Sequence, residues 1–142
     1  MSLSKIKVVR RHPLAIIPTV ATAGSAGFDL YSVVNCIVAP GGVQTINTGI
    51  RMQFPPGYFG KVFGRSELAM TQIDALGGVI DSDYRGDIMV IIQNHSKIPL
   101  KVHPGMKIAQ IVCIPYVSPG IIEFPDLTKT MRGESGFGSS GN

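Results

Sequence analysis

The stretch INTGIRMQF, residues 46–54, sets Ile46, Thr48, Ile50, Met52 and Phe54 against Asn47, Gly49, Arg51 and Gln53. That is a period of two, the repeat of a half-buried β-strand, because successive side chains of a strand point to opposite faces. The same alternation returns where Leu100 and Val102 interleave with Lys101 and His103. The segment KIAQIVCIPYV, 107–117, is apolar on nearly every position, as expected of a strand covered on both faces. Between such segments lie TAGSAG (22–27), APGG (39–42), PPG (55–57), LGG (76–78), HPG (103–105) and SPG (118–120). Proline presets the first dihedral of a turn and glycine supplies positive φ, so these mark tight turns. The single helical candidate is SELAMTQ, 66–72, with Ser66 as its N-cap. Many short strands with at most one short helix predict an all-β single domain: a sandwich, a jelly roll or a closed barrel.

With 142 residues the chain can bury a real core. Hydrophobic residues make up 44% and charged residues 15%, a composition that favours self-association over a small monomer with much surface to cover. No segment approaches the roughly 20 apolar residues of a membrane span. The basic start MSLSKIKVVRRHP lacks an apolar core and cleavage site. Cys36 and Cys113 lack metal-site spacing and read as reduced thiols. An intracellular protein, cytoplasmic or nuclear, with neither secretion nor membrane insertion is therefore expected. The net charge of +4 suits an anionic ligand, but the basic residues are scattered and Trp is absent, which argues against nucleic acid. The division expected is a folded core over 1–127 and a glycine- and serine-rich tail over 128–142 that could close over a ligand.

Five stretches carry candidate chemistry. GGVIDSDYRGDIMVII, 77–92, concentrates Asp81, Asp83, Arg85 and Asp87 beside an apolar run. Gly77 and Gly78 would turn a hairpin, and Asp81, following an expected buried pair Val79–Ile80, would sit at the core's edge as a positioned base. Tyr84 offers a flat face for a sugar or base. The alternative is a charged hairpin in which Arg85 simply pairs with Asp83 or Asp87. GRSELA, 64–69, puts Arg65 and Ser66 at a helix start, fit for phosphate or equally an ordinary cap. In AGFDLYS, 26–32, Asp29 lies between apolar neighbours and on its own reads as solvent-facing. Gln110, in the strand apolar on both faces, needs partners from protein or ligand, since an unpaired buried amide costs about 1–3 kcal/mol. RGESGFGSSG, 132–141, frees the backbone around Arg132 and Phe137 to wrap an anion, and it lacks the ending of a Walker loop. His12, His95 and His103 lie far apart, so neither a metal site nor a catalytic triad can be argued.

In order and spacing, these five stretches resemble the motifs of the trimeric dUTP pyrophosphatases (dUTPases). The resemblance runs from residue 26 to 141. It implies a jelly-roll-like distorted β-barrel, a homotrimer with active sites at subunit contacts, and hydrolysis of dUTP to dUMP and pyrophosphate. By the same resemblance Asp81 activates the attacking water and Tyr84 lies under the deoxyribose, excluding a 2′-hydroxyl. The backbone of Gly77, Gly78 and Val79 would read the uracil edge, and Arg65, Ser66 and Gln110 would contact phosphate. Arg132, Phe137, Gly138 and Ser139 would close over the nucleotide, with Phe137 stacked on uracil and Arg132 catalytic in neutralising phosphate charge together with Arg65 and Mg²⁺. Mg²⁺ would be held by phosphate oxygens and waters, with no direct protein ligand and Asp29 in an outer shell. Two positions depart from the family pattern: Gly64 replaces a proline, and Glu67, among the substrate-contacting positions, replaces a small glycine. A glutamate there either caps the helix and points away or repels phosphate. The competing reading is a catalytically inactive binding protein on the same fold, since folds are reused. A dCTP deaminase would want a Phe at position 84 and a glutamate base soon after, neither of which is present.

Overall fold

The computed structural model describes residues 4–138. Eleven strands and one helix follow in order: β1 Lys7–Arg10, β2 Phe28–Tyr31, β3 Cys36–Val38, β4 Val43–Asn47, β5 Ile50–Gln53, β6 Tyr58–Phe63, α1 Ser66–Met70, β7 Ile73–Leu76, β8 Val79–Ile80, β9 Met89–Asn94, β10 Leu100–Val102 and β11 Lys107–Pro115. The chain is all-β with one short helix, as its periodicities imply. Four small antiparallel sheets, ordered β1-β5, β10-β3, β2-β11-β6-β8 and β4-β9-β7, wrap a single core. Each contributes to that core: Ile50 from β5, Val38 from β3, Leu30, Val62 and Ile111 from the four-stranded sheet, and Ile46, Val90 and Ile92 from the fourth.

Ile46, Thr48, Ile50, Met52 and Phe54 are all buried, as the alternation over 46–54 implies, and it is interrupted only at Gly49, which is buried as well. It is nevertheless two strands, not one. Gly49 adopts φ +68°, and a Cβ there would stand 2.8 Å from the Cβ of His12 and 2.9 Å from Val33. Only glycine fits such a turn without strain. Here the chain leaves the sheet of β9 and enters that of β1. The junction is tied by Thr48, whose backbone N–H and hydroxyl both donate to the Ile88 carbonyl, at 3.1 and 2.7 Å. The Ile88 N–H in turn donates to the Ile50 carbonyl at 2.9 Å. Among the described residues no buried side-chain polar atom lacks a partner.

β11 is the central strand of its sheet, paired with β2 on one side and β6 on the other, with Ile108, Ala109 and Ile111 buried. The helix is shorter than SELAMTQ suggests. Arg65, not Ser66, is its N-cap, with no side-chain cap bond, and it ends before Gln72, which has φ +65°. Beyond Pro115 the described residues form no regular structure. Tyr116 still packs edge-on to Phe59, with ring centroids 5.8 Å apart. Val117, Ile121, Ile122, Phe124, Leu127 and Met131 then follow as exposed apolar side chains.

Candidate functional site

The glycine pair at 77–78 does not close a hairpin of paired strands. It carries the chain from β7, which pairs with β9, to β8, which pairs with β6. Gly78 has φ +96°, and a Cβ on it would meet the Val62 Cβ at 2.8 Å and the Val62 carbonyl oxygen at 2.9 Å. The turn can approach β6 closely only because that Cβ is missing. The Val62 N–H donates to the Gly78 carbonyl at 2.8 Å, and Lys61 Nζ donates to the carbonyls of Gly77 at 2.9 Å and Val62 at 2.7 Å.

Val79 and Ile80 are not a buried pair: Ile80 faces the core, while Val79 is 61% exposed. Val79, Ile80, Asp81, Tyr84, Asp87 and Met89 line a recess of about 140 Å³. Asp81 and Val79 also border a wider recess, about 480 Å³, reaching Phe59, Ser82 and Tyr116. A turn links the Tyr84 N–H to the Asp81 carbonyl at 3.1 Å, and the Tyr84 hydroxyl donates to the Asp87 carbonyl at 2.8 Å, fixing the ring. Arg85 pairs with neither Asp83 nor Asp87. Its Nη1 donates to the carbonyls of Ser82 and Tyr84. Asp87 instead receives Arg51 Nε at 2.9 Å and Asn47 Nδ2 at 3.3 Å. The Arg51 hydrogen bond, helped by Asn47, holds the Asp87 carboxyl below its ordinary range. The exposed Asp81 carboxylate has no hydrogen bond or ion pair among the described residues.

A second cluster gathers on β2, β11 and the start of α1. Asp29 does not face solvent; its side chain is 13% exposed. Its Oδ1 lies 3.4 Å from Arg65 Nε and its Oδ2 lies 3.6 Å from Lys107 Nζ. Arg65 Nη1 reaches Glu67 Oε2 at 3.7 Å, so Glu67 neither caps the helix nor points away. Gln110, opposite Asp29 in the β11–β2 register, donates from Nε2 to the Gly64 carbonyl at 3.0 Å, which answers its need for a partner from within the protein. Ser66 is exposed beside it. A helix of five residues contributes little dipole, so charge at this site comes from side chains. Lys107 was not foreseen: a register shift between Lys107 and Ala109 brings it to Asp29, and no local pattern announces such a bulge.

The two clusters stand at opposite ends of β6. Ile80 pairs with Gly60, so Asp81 is level with Phe59, and Arg65 follows six residues on along extended chain. At a strand rise of about 3.3 Å, Asp81 and Arg65 stand up to about 20 Å apart along β6. In the described part of the tail, the hydrogen bonds of Arg132 and Gly133 stay within the tail. Arg132 Nε donates to the Ser135 carbonyl at 2.7 Å, and Phe137 and Gly138 are exposed. Ser139 lies outside the described residues. Among the described residues no group of three or more His, Cys, Asp or Glu side chains could hold a metal, and no helix is long and apolar enough to cross a membrane.

A sequence model of the dUTPase family matches residues 14–141. The chain belongs to the dUTPase family. It is 42% identical over 139 residues to a deoxyuridine 5′-triphosphate nucleotidohydrolase of Alkaliphilus metalliredigens, covering 96% of each chain. It is 41% identical over 138 residues to the enzyme of the same name from vaccinia virus, covering 97% of this chain and 94% of that one. In fold it matches the dUTPase of Staphylococcus bacteriophage 80alpha, solved with dUPNHPP, at a TM-score of 0.90 and 24% identity over 97% of this chain and 99% of that one. It also matches a dUTPase mutant of phage phi11, described with a structural Mg(II) ion, at a TM-score of 0.83 and 20% identity, covering 89% of this chain and 100% of that one. These likenesses establish the distorted β-barrel.

Proposed function

We propose that the chain hydrolyses dUTP to dUMP and pyrophosphate, with Mg²⁺, as an intracellular homotrimer. The observation that carries this reading is the Asp81 carboxylate, unpaired at the lip of the recess beneath the Gly77–Val79 turn. A free carboxylate within hydrogen-bond reach of a water can take its proton as the water's oxygen attacks the α-phosphorus. The bond from that phosphorus to the bridging oxygen then breaks, and pyrophosphate leaves with the electron pair. The turn backbone reads the uracil edge, and Tyr84, its ring pinned through Asp87, lies under the sugar and leaves no room for a 2′-hydroxyl. Arg65, Ser66 and Gln110 contact phosphate, and Arg132, Phe137, Gly138 and Ser139 cover the nucleotide.

The donor set fits a Mg²⁺ carried in on the triphosphate. Asp29, with both oxygens already facing cations, is suited to an outer shell. When bound, Mg²⁺ neutralises charge on the phosphate oxygens.

In this reading a complete site draws on more than one copy, with the base and the phosphate-binding arginine of one chain standing at opposite ends of β6. The exposed apolar residues Ile121, Ile122, Phe124 and Leu127 support the same conclusion, since they find no cover within their own protomer. Cys36 and Cys113 are free, half-buried thiols, as suits a reducing compartment.

Pyrophosphate release measured side by side from dUTP, UTP, dTTP and dCTP with Mg²⁺ tests the proposal. Release from dUTP alone is expected. Binding of dUTP without release would overturn catalysis and favour the binding protein.

A further inference from the structure

Glu67 is the member of the second cluster that the proposed chemistry leaves without a task. Arg65 presents two edges to two acids: Nε to Asp29 at 3.4 Å and Nη1 to Glu67 at 3.7 Å. The acids differ sharply in surroundings. Asp29 is 13% exposed and shared with Lys107, so its hold on the guanidinium is the firm one. Glu67 is 82% exposed, and its contact with Arg65 is cheap to break. In formal charge, Arg65 and Lys107 face Asp29 and Glu67, and the group is neutral; without Glu67 it would carry one net positive charge.

We propose that Glu67 is an internal counter-ion that covers the outward edge of Arg65 in the ligand-free protein and must yield to phosphate, so that it sets affinity for the triphosphate and not the rate of bond cleavage. This rests on the reading of Arg65 as a phosphate contact. Asp29 keeps the guanidinium oriented through Nε while Nη1 exchanges one anionic oxygen for another. Glu67 acts through Arg65 and is a positioning residue. Its penalty falls only on ligands that bring phosphate to that edge.

The test compares wild type with Glu67→Gln and Glu67→Gly, using titration calorimetry with the imido analogue of dUTP and Mg²⁺, and steady-state kinetics with dUTP. Both variants are expected to bind the analogue about two- to five-fold more tightly. KM should fall by the same factor, kcat should carry none of the gain, and the gain should shrink at high salt as screening weakens the pair. Deoxyuridine, which has no phosphate, should inhibit all three proteins equally. Unchanged or weaker binding of the analogue would overturn the proposal, and so would an equal gain for deoxyuridine, which would point to a change in the fold. Inorganic tripolyphosphate separates this proposal from the functional reading, because it needs no uracil pocket. Tighter tripolyphosphate binding by Glu67→Gln in a protein that does not turn over dUTP would leave the counter-ion standing and remove the enzyme. Turnover of dUTP with no gain from either variant would do the reverse.

Discussion

Asp81 and Asp87 are six residues apart and have opposite fates. Asp87 is spent on structure: Arg51 and Asn47 hold it, and its carboxyl is shifted downward as a result. Its contribution to stability is complete above the ordinary carboxyl value of 3.8 and is lost as pH falls through the lowered folded value, because the unfolded chain takes up the proton first. Both side chains are a third or more exposed, so the pair contributes only about 0.2–1 kcal/mol. Asp87→Asn should therefore lower the melting temperature slightly at neutral pH, with the difference from wild type vanishing in strong acid. An undiminished difference in acid would mean that the loss lies in packing. Asp81 is left free, and its removal should be felt in chemistry alone. Asp81→Asn is expected to fold, to bind the imido analogue and to lose about 10²–10⁴-fold in kcat. Ordinary turnover by this variant would assign the base elsewhere. The sequence presents both acids in one charged run, and nothing local distinguishes them. Only the partners do, and Arg51 comes from a strand 36 residues away.

At the scale of elements, periodicity reports burial but not sheet membership. The inward set from Ile46 to Phe54 stays buried across Gly49, itself buried where the chain changes sheets, because the inward face stays inward while hydrogen-bonding partners are exchanged. β11 was legible because it is apolar at nearly every position, with the consecutive Ile108 and Ala109 both buried, and Gln110 stood out against that background. The glycine pair at 77–78 was legible as a turn but not as a bridge between sheets, since its close approach to Val62 depends on chain far from it in sequence. That approach is testable. Gly78→Ala combines a left-handed backbone with a Cβ driven against Val62, and should cost about 2–4 kcal/mol. Chemical denaturation gives the loss directly. Because the displaced turn also borders the recess, nucleotide affinity should fall with it; a stable variant with normal affinity would show that the turn tolerates the extra carbon.

At the scale of the molecule, the described residues form a barrel around one core, with two clusters of candidate site residues and an exposed apolar segment beyond Tyr116. The high apolar fraction pointed to association, but the geometry on which the proposed association rests, clusters at opposite ends of β6, is invisible without strand register. The tail gives one test: deletion of residues 132–142 should remove most turnover while leaving the number of subunits per oligomer unchanged, whereas full activity would deny the tail its role as a lid. A sharper test uses mixing. Asp81→Asn and Arg65→Ala should each be nearly inactive as pure oligomers. If each site takes Asp81 from one copy and Arg65 from its neighbour, co-refolding equal amounts of the two variants should restore intact sites wherever an Arg65→Ala copy lends its Asp81 to a site whose Arg65 comes from an Asp81→Asn copy. In a closed ring assembled at random, that arrangement arises at about one site in four, so the mixture should recover about a quarter of wild-type activity. Were both residues of a site supplied by the same copy, every site would carry one defect or the other, and no mixture could regain any activity.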